Sequence, residues 1–545
     1  MTMAHRHGGL MGRGWRGLRH LIYASPLYGL TLGGRAPTEI RGTPPEVWPG
    51  DAAAGRAIVD GAFTIDGRTI AVSDATGDAA WREGGAQVHT FDWLGDLRAV
   101  ANDAARRRAR QLTAAWIEGH RRWSLPAWRV DVIGARLANW FVHYGVLTQG
   151  AEDEFDRRLL ASAARQARHL VRVQTSETED WRSFLAIKGL IYAGVCLPGA
   201  ERGLDLGLRL LEHAVTHQIL PDGGHVTRNP AVLLEVLRAL VELRATLMAA
   251  HKEVPLDLQG AIDRMAPMVR CLRHGDGRLA LFNGAGEGEE TNISRVLAQS
   301  GSRGKALLNA SHSGFHRMAC GRTLIIADTG RPPPPGADSD ACAGTLGFEM
   351  SVGRQRLIVN CGAARDPKWR AALRSSAAHS TVIVGDVNSS EVLSARGLGR
   401  RPAHVTAVRR EAHGNLLIEA SHDGYAQPFG LVHRRLIHIT PDGTEVRGED
   451  IVSGRPAAAD GRARFHLHPT VQASLLGDGA TVILKPPRGS AWRFEAQGAH
   501  VSLADSVYAV NPGTIRRTQQ IVAAWPMGND ATTIKWRLRR DDSDS

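Results

Sequence analysis

Between residues 97 and 272 apolar positions recur three and four apart, the period of a helix that buries one face. The pattern predicts helices at 104–118, 130–144, 152–174, 182–197, 204–219, 230–250 and 257–272, joined by short loops. Near residue 273 the period changes. From 314 onward short strand-like runs alternate with turn sequences such as Pro441-Asp442-Gly443 and Gly477-Asp478-Gly479. Strands are predicted at 321–328, 347–352, 356–360, 380–384, 416–421, 433–439, 444–450, 464–468, 481–485 and 519–524. The first stretch is rich in Gly and Pro and reads as an irregular arm. The expected domains are this arm (1–94), a helical domain (95–275) and a β domain (276–545). Antiparallel helices in series can close into an incomplete α/α toroid. Many short strands with regular turns make a large antiparallel β-sandwich rather than a parallel sheet.

Length agrees with more than one core, since 545 residues exceed one ordinary domain. With 43% hydrophobic and 22% charged residues the chain is too apolar for intrinsic disorder, and no run of about 18 apolar residues could span a bilayer. The start is basic (His5, Arg6, His7, Arg13, Arg16, Arg19), but the apolar stretch at 21–34 is too short for a secretory leader. The five cysteines (Cys196, Cys271, Cys320, Cys342 and Cys361) are widely spaced and form no Cys-x-x-Cys, which fits a reducing compartment. A cytoplasmic location is expected, with the periplasm as the alternative. The formal charge is +12, and only six of the 67 basic residues are Lys. Arg pairs bidentately with carboxylate, sulfate and phosphate, so an acidic polymer is a natural partner. Without a zinc finger or an RNA-binding aromatic signature, nucleic acid is not the polymer expected.

Several motifs then follow in order. Asp222-Gly223-Gly224-His225 leads to Arg228-Asn229-Pro230. Asp328-Thr329-Gly330 precedes Asp340, Cys342 and Gly344, then Phe348-Glu349, Asn360-Cys361-Gly362 and Arg374 to His379. His422-Asp423-Gly424-Tyr425 and His433-Arg434-Arg435 come last. This order resembles the heparinase II/III-like polysaccharide lyases over residues 130–525. The resemblance implies a toroid joined to a sandwich, and cleavage of uronate-containing glycans by β-elimination. That chemistry needs a group to neutralise the uronate carboxylate, a base for the proton beside it, and an acid for the leaving oxygen.

The chain also departs from the family. Val232 and Leu233 stand where a Tyr and often a His are usual, and the family's His-x-His-x-Asp becomes Asp340-Ala341-Cys342-Ala343-Gly344. A carbon–oxygen lyase acting on an acidic polysaccharide is the expected function. His225 and Arg228 would hold the carboxylate, and His379 with Tyr425 would be the acid/base pair. Asn229, Arg136, Trp140, His274 and Asp340 are candidate substrate contacts, although Asn229 also reads as a helix cap, Trp140 as core and His274 as a turn residue. Glu287, Glu289 and Glu290 read as a solvated acidic loop. No cofactor is required; Cys342, Asn360 and His379 stand where some members bind zinc, but Asn is a poor ligand. The alternative is a non-catalytic glycan-binding or envelope-assembly protein of the same fold.

Overall fold

The computed structural model describes all residues except 1–9, 66–67, 73–76, 174–179, 395–396, 455–458, 512, 528–530 and 542–545. His5, Arg6, His7 and the end of the helix predicted to 174 therefore lie outside the described residues. The chain divides into two compact units, residues 1–215 with 239–259, and residues 216–238 with 260–545.

The first unit is mainly helical. The helices at Asp103–Gly119, Val130–Val142, Asp153–Val173 and Ser183–Cys196 match the predicted periods. Val130–Val142 is buried on almost every side, and two glycines let it meet Ser183–Cys196 backbone to backbone. A Cβ on Gly134 would lie 2.0 Å from the Leu185 carbonyl oxygen, and one on Gly189 would lie 2.4 Å from the Gly134 Cα. The described residues of the segment read as an irregular arm form regular elements. They make helices at Leu10–Ala24, Pro26–Thr31, Ala52–Val59 and Asp78–Glu83 and a hairpin of Ala62–Ile65 with Arg68–Ala71. Three glycines (Gly12, Gly14 and Gly17) lower the helix propensity of the first of these, which hides it from a propensity reading.

The second unit is built on two antiparallel sheets. One has eight strands, in the spatial order Gln472–Leu475, Thr481–Lys485, Trp492–Gln497, Thr532–Arg540, Glu445–Gly454, Leu431–Ile439, Asn415–Tyr425 and Val405–Ala412. The other runs His500–Asn511, Thr514–Pro526, Asp460–Leu467, Gln355–Val359, Phe348–Val352, Thr323–Asp328, Phe315–Cys320 and Asn309–Ala310, with Val382–Val384 beside Asp460–Leu467. Both faces supply one core, in which Phe348 stacks on Trp536 at 5.5 Å and Phe465 meets Phe494 and Trp536. A helix at Glu290–Ser300 precedes the first of these strands.

Polar residues also enter this core, because strand alternation sends His433 and Arg435 to the same buried face as Leu431, Ile437 and Ile439. They are accommodated by one carboxylate. Asp450 accepts from Arg435 at 2.7 and 2.9 Å and from the Trp536 indole at 3.0 Å, and it lies 2.8 Å from His433. Arg435 also donates to the carbonyls of Leu346 and Ser380. The fully buried charges are thus paired and hydrogen-bonded, the condition under which a core tolerates them.

Candidate active site

The turn that carries His225 is shaped by Gly223, whose φ is +84° and whose Cβ would lie 2.1 Å from the Arg264 carbonyl oxygen. Asp222 fastens it, accepting from the Ser313 backbone and hydroxyl, both at 2.7 Å. His225 is buried, with Nε2 3.2 Å from the Gln218 side-chain oxygen and Nδ1 2.9 Å from the Thr227 hydroxyl. Burial pushes its pKa down to about 3, so the imidazole is neutral at ordinary pH. A neutral ring offers no charge to a uronate carboxylate.

Arg228, at φ +52°, turns its guanidinium inward. It donates to the Ser313 carbonyl at 2.6 Å and the Gly314 carbonyl at 3.2 Å, lies over Phe315 at 4.6 Å, and forms a two-oxygen ion pair with Asp328. Both partners of that pair are buried. Asn229 caps the following helix, its Oδ1 accepting from the backbone of Ala231 and Val232, and its Nδ2 donates to the Asn283 carbonyl at 2.8 Å. Asn283 returns a bond to the Arg228 carbonyl and accepts from the Cys342 backbone. Arg228, Asn229, Asn283, Cys342 and Asp328 are therefore brought together, but their polar atoms are occupied by one another.

The remaining candidates part company. His379 is buried, with Nδ1 donating to the Ser375 carbonyl at 2.8 Å and the ring so close to Gly344 that a Cβ there would lie 2.5 Å away. Burial lowers its pKa, and neither the Ser375 bond nor the Asp328 and Glu349 carboxylates overcome it. So buried and bonded, His379 is not presented to a substrate as the acid/base residue expected of it. Tyr425 is fully buried in the sandwich core and donates to the Val382 carbonyl at 2.7 Å, which removes it from the role of a phenolic base facing substrate. His274 is neither a solvated turn residue nor a substrate contact: it is buried, 3.0 Å from Glu349 and 2.9 Å from the Ser351 hydroxyl. Only Asp340 keeps substantial exposure, its carboxylate 2.6 Å from Arg370.

Arg136 and Trp140 belong to the first unit, inside its core. Arg136 donates to the Gln166 side chain and to the carbonyls of His89 and Ala127, and lies 4.1 Å over Trp116. Trp140 packs edge-on against Phe91 and Trp116. Neither is open to a sugar. The three zinc candidates do not fit a metal. The Asn360 side-chain oxygen accepts from the Ser380 backbone at 2.9 Å, and burial pushes the Cys342 thiol up to about 12, far from the thiolate that zinc needs. Among the described residues no group of three or more His, Cys, Asp or Glu is placed to hold a metal ion.

Two buried clusters escaped the sequence reading. Glu287, taken for a solvated residue, is buried, bonded to the Tyr508 hydroxyl and 2.7 Å from Arg278. Burial raises its carboxyl, but bonds from Tyr508 and Arg278, the nearby His468 and the charge of Arg356 hold it well below the ordinary range. Glu349 accepts from the backbone of Leu281 and Asn360 while facing His274. The Phe348-Glu349 motif pointed to Glu349; nothing local pointed to Tyr508, which is 221 residues from its partner.

Known proteins agree with this architecture. The family model described as heparinase II/III N-terminus matches residues 87–302, and that described as heparinase II/III-like, C-terminal, matches 302–537. FtsZ-localized protein C of Caulobacter vibrioides is 32% identical over 529 residues, covering 92% of this chain and 91% of that protein. The crystal structure of heparinase III superposes with a TM-score of 0.75 at 15% identity, over 100% of this chain and 94% of its own. Heparan sulfate lyase HepC from Pedobacter heparinus gives 0.61 at 15% identity, over 95% and 88%. At such identities the structures speak for the fold alone, a helical toroid followed by a β-sandwich.

Proposed function

We propose that this chain, which belongs to the heparinase II/III-like family, has kept the polysaccharide-lyase fold without the lyase chemistry and serves as a non-catalytic glycan-binding or envelope-assembly protein that localises with FtsZ. The observation that carries the reading is the state of Arg228. Its charge is already matched by Asp328 in a buried pair. Neutralising a uronate carboxylate would require pulling it away from that partner, and a buried carboxylate left alone is costly. Val232 at the position of the usual Tyr removes a second requirement, and a neutral, buried His225 weakens a third. Localisation with FtsZ is carried over from the relative that matches nearly the whole chain. It would place the protein in the compartment that holds FtsZ.

An active lyase on acidic, uronate-containing glycans is the competing reading, favoured by the match of both heparinase II/III family models. One experiment separates them. The protein is incubated with heparan, alginate and related uronates while the ultraviolet absorbance of the unsaturated product is followed. No product, with retained binding on a glycan array, is expected. A steady rise proportional to protein concentration would restore the lyase. A fluorescent fusion should follow FtsZ and disperse when FtsZ is depleted; a pattern indifferent to FtsZ would remove that part of the proposal.

A further inference from the structure

The eight-stranded sheet has two unlike faces. Phe494, Trp536, Val446 and Ile437 enter the sandwich core, so their neighbours along each strand point to the other side. Strand register lines these outward residues up in rows. One row crosses six strands, with Glu495, Arg537, Arg447, His438, Leu417 and Arg410 side by side. The row beside it holds Arg493, Arg539 and Glu445. Arg537 thus stands directly opposite Arg447, and Arg493 opposite Arg539, on strands about 5 Å apart. Like charges facing each other across a sheet repel, so this placement is not one that stability alone selects.

The carboxylates of this face do not cancel the charge that solvent meets, because they lie lower than the cations. Arg447 is 62% exposed and its partner Glu445 13%. Arg410 is 65% exposed, and the Glu419 that it shares with Arg434 is 25% exposed. Each acid takes up part of a guanidinium fork. Glu445 accepts from the Arg447 Nε, and Glu495 accepts from one terminal nitrogen of Arg537 at 2.6 Å. The remaining N–H groups are left to solvent. On the central strand, Lys535 and Arg539 form no ion pair among the described residues. The result is a layer of arginine forks held above their own counter-ions, with donors free for carboxylate or sulfate oxygens.

We propose that this open sheet face binds an acidic glycan, a polysaccharide bearing carboxylate or sulfate groups, laid along the row of Arg537, Arg447 and Arg410. From Arg537 to Arg410 the row takes four inter-strand steps, roughly 19 Å, so it meets an extended polymer rather than a single anion. The inference rests on the glycan-binding reading and assigns the contact to residues outside the motifs that carry the family resemblance. Nucleic acid suits the face less. The rows hold no Phe, Tyr or Trp on which a base could stack, and a broad sheet does not enter a duplex groove, which admits a helix or a two-stranded ribbon.

Calorimetry of the full chain with a heparin octasaccharide tests it, with dextran as the neutral control and oligouridylate as the competing polyanion. Arg447→Thr with Arg537→Thr should weaken heparin binding at least tenfold with circular dichroism unchanged, since both side chains are largely exposed. Arg410→Thr, on the exposed edge strand, should weaken it at least threefold and keeps the test open if the central pair disturbs folding. Arg202→Ala with Arg209→Ala removes the same net charge from the exposed side of the helix at Glu201–Gln218 and should change binding less than twofold. Equal losses in the strand and helix pairs would mean attraction to net charge alone and overturn the proposal. Strand variants that bind like the parent would overturn this site while leaving the glycan-binding reading in place. A parent that binds no acidic glycan would remove both. Equal binding of dextran, or tighter binding of oligouridylate, would overturn the assignment to an acidic glycan.

Discussion

Arg228→Ala distinguishes a guanidinium held for substrate from one held for the fold. In the folded protein Arg228 answers both oxygens of Asp328, and both side chains are buried. Removing it leaves the carboxylate with one backbone donor, the Gly330 N–H at 3.2 Å. Breaking a buried pair from one side costs about 3–5 kcal/mol, because the remaining charge stays desolvated. The Ser313 carbonyl also loses its 2.6 Å donor, worth about 1 kcal/mol. Alanine relieves none of the left-handed backbone at this position, so nothing offsets the loss. A destabilisation of about 4–6 kcal/mol is expected, read as a lower denaturant midpoint at unchanged slope. Arg228→Met with Asp328→Leu removes both charges and should cost less than the single change. If Arg228→Ala stays within about 1 kcal/mol of the parent while glycan binding collapses, the residue reaches a ligand and the reasoning fails.

His379→Ala should destabilise by about 2–4 kcal/mol through a cavity beside Gly344 and an unanswered Ser375 carbonyl, leaving glycan affinity intact; an unchanged melting temperature with lost affinity would return His379 to an acid/base or binding role. Tyr425→Phe should cost about 1–2 kcal/mol by leaving the Val382 carbonyl without its donor, measured by denaturant unfolding, and a loss of binding at full stability would contradict its core role. Acid should unfold the second unit early. His225 and His466 have pKa values pushed by burial from 6.5 to about 3, so below about pH 6.5 the unfolded chain binds protons that the folded chain refuses. Their burial costs nothing extra above that pH, and stability falls as pH drops from about 6.5 towards 3, by up to about 1.4 kcal/mol per pH unit per histidine. Denaturant midpoints that stay flat between pH 7 and 5 would show that these rings take up protons in the folded state.

Helices of the first unit were legible where one face is buried, as at Asp103–Gly119 and Asp153–Val173, because burial on one side writes a period into the chain. Val405–Ala412 was missed because it is an edge strand, exposed along most of its length, with no buried face to impose alternation. The site was legible as a set of motifs and illegible as a geometry, since the identity of a residue does not name what consumes its hydrogen bonds. Arg228 finds Asp328 one hundred residues away, and Asn229 finds Asn283 fifty-four away. His433 and Arg435 carry the same lesson further. They helped to mark the family, yet they serve a buried carboxylate at Asp450. Residues that hold buried charges together are constrained by the fold whether or not a reaction takes place. A resemblance carried by such residues therefore tracks the fold, whereas activity depends on groups left free to meet a substrate. At position 232 the chain has a valine where that chemistry asks for a phenol, and this one departure bears more directly on catalysis than the motifs that agree.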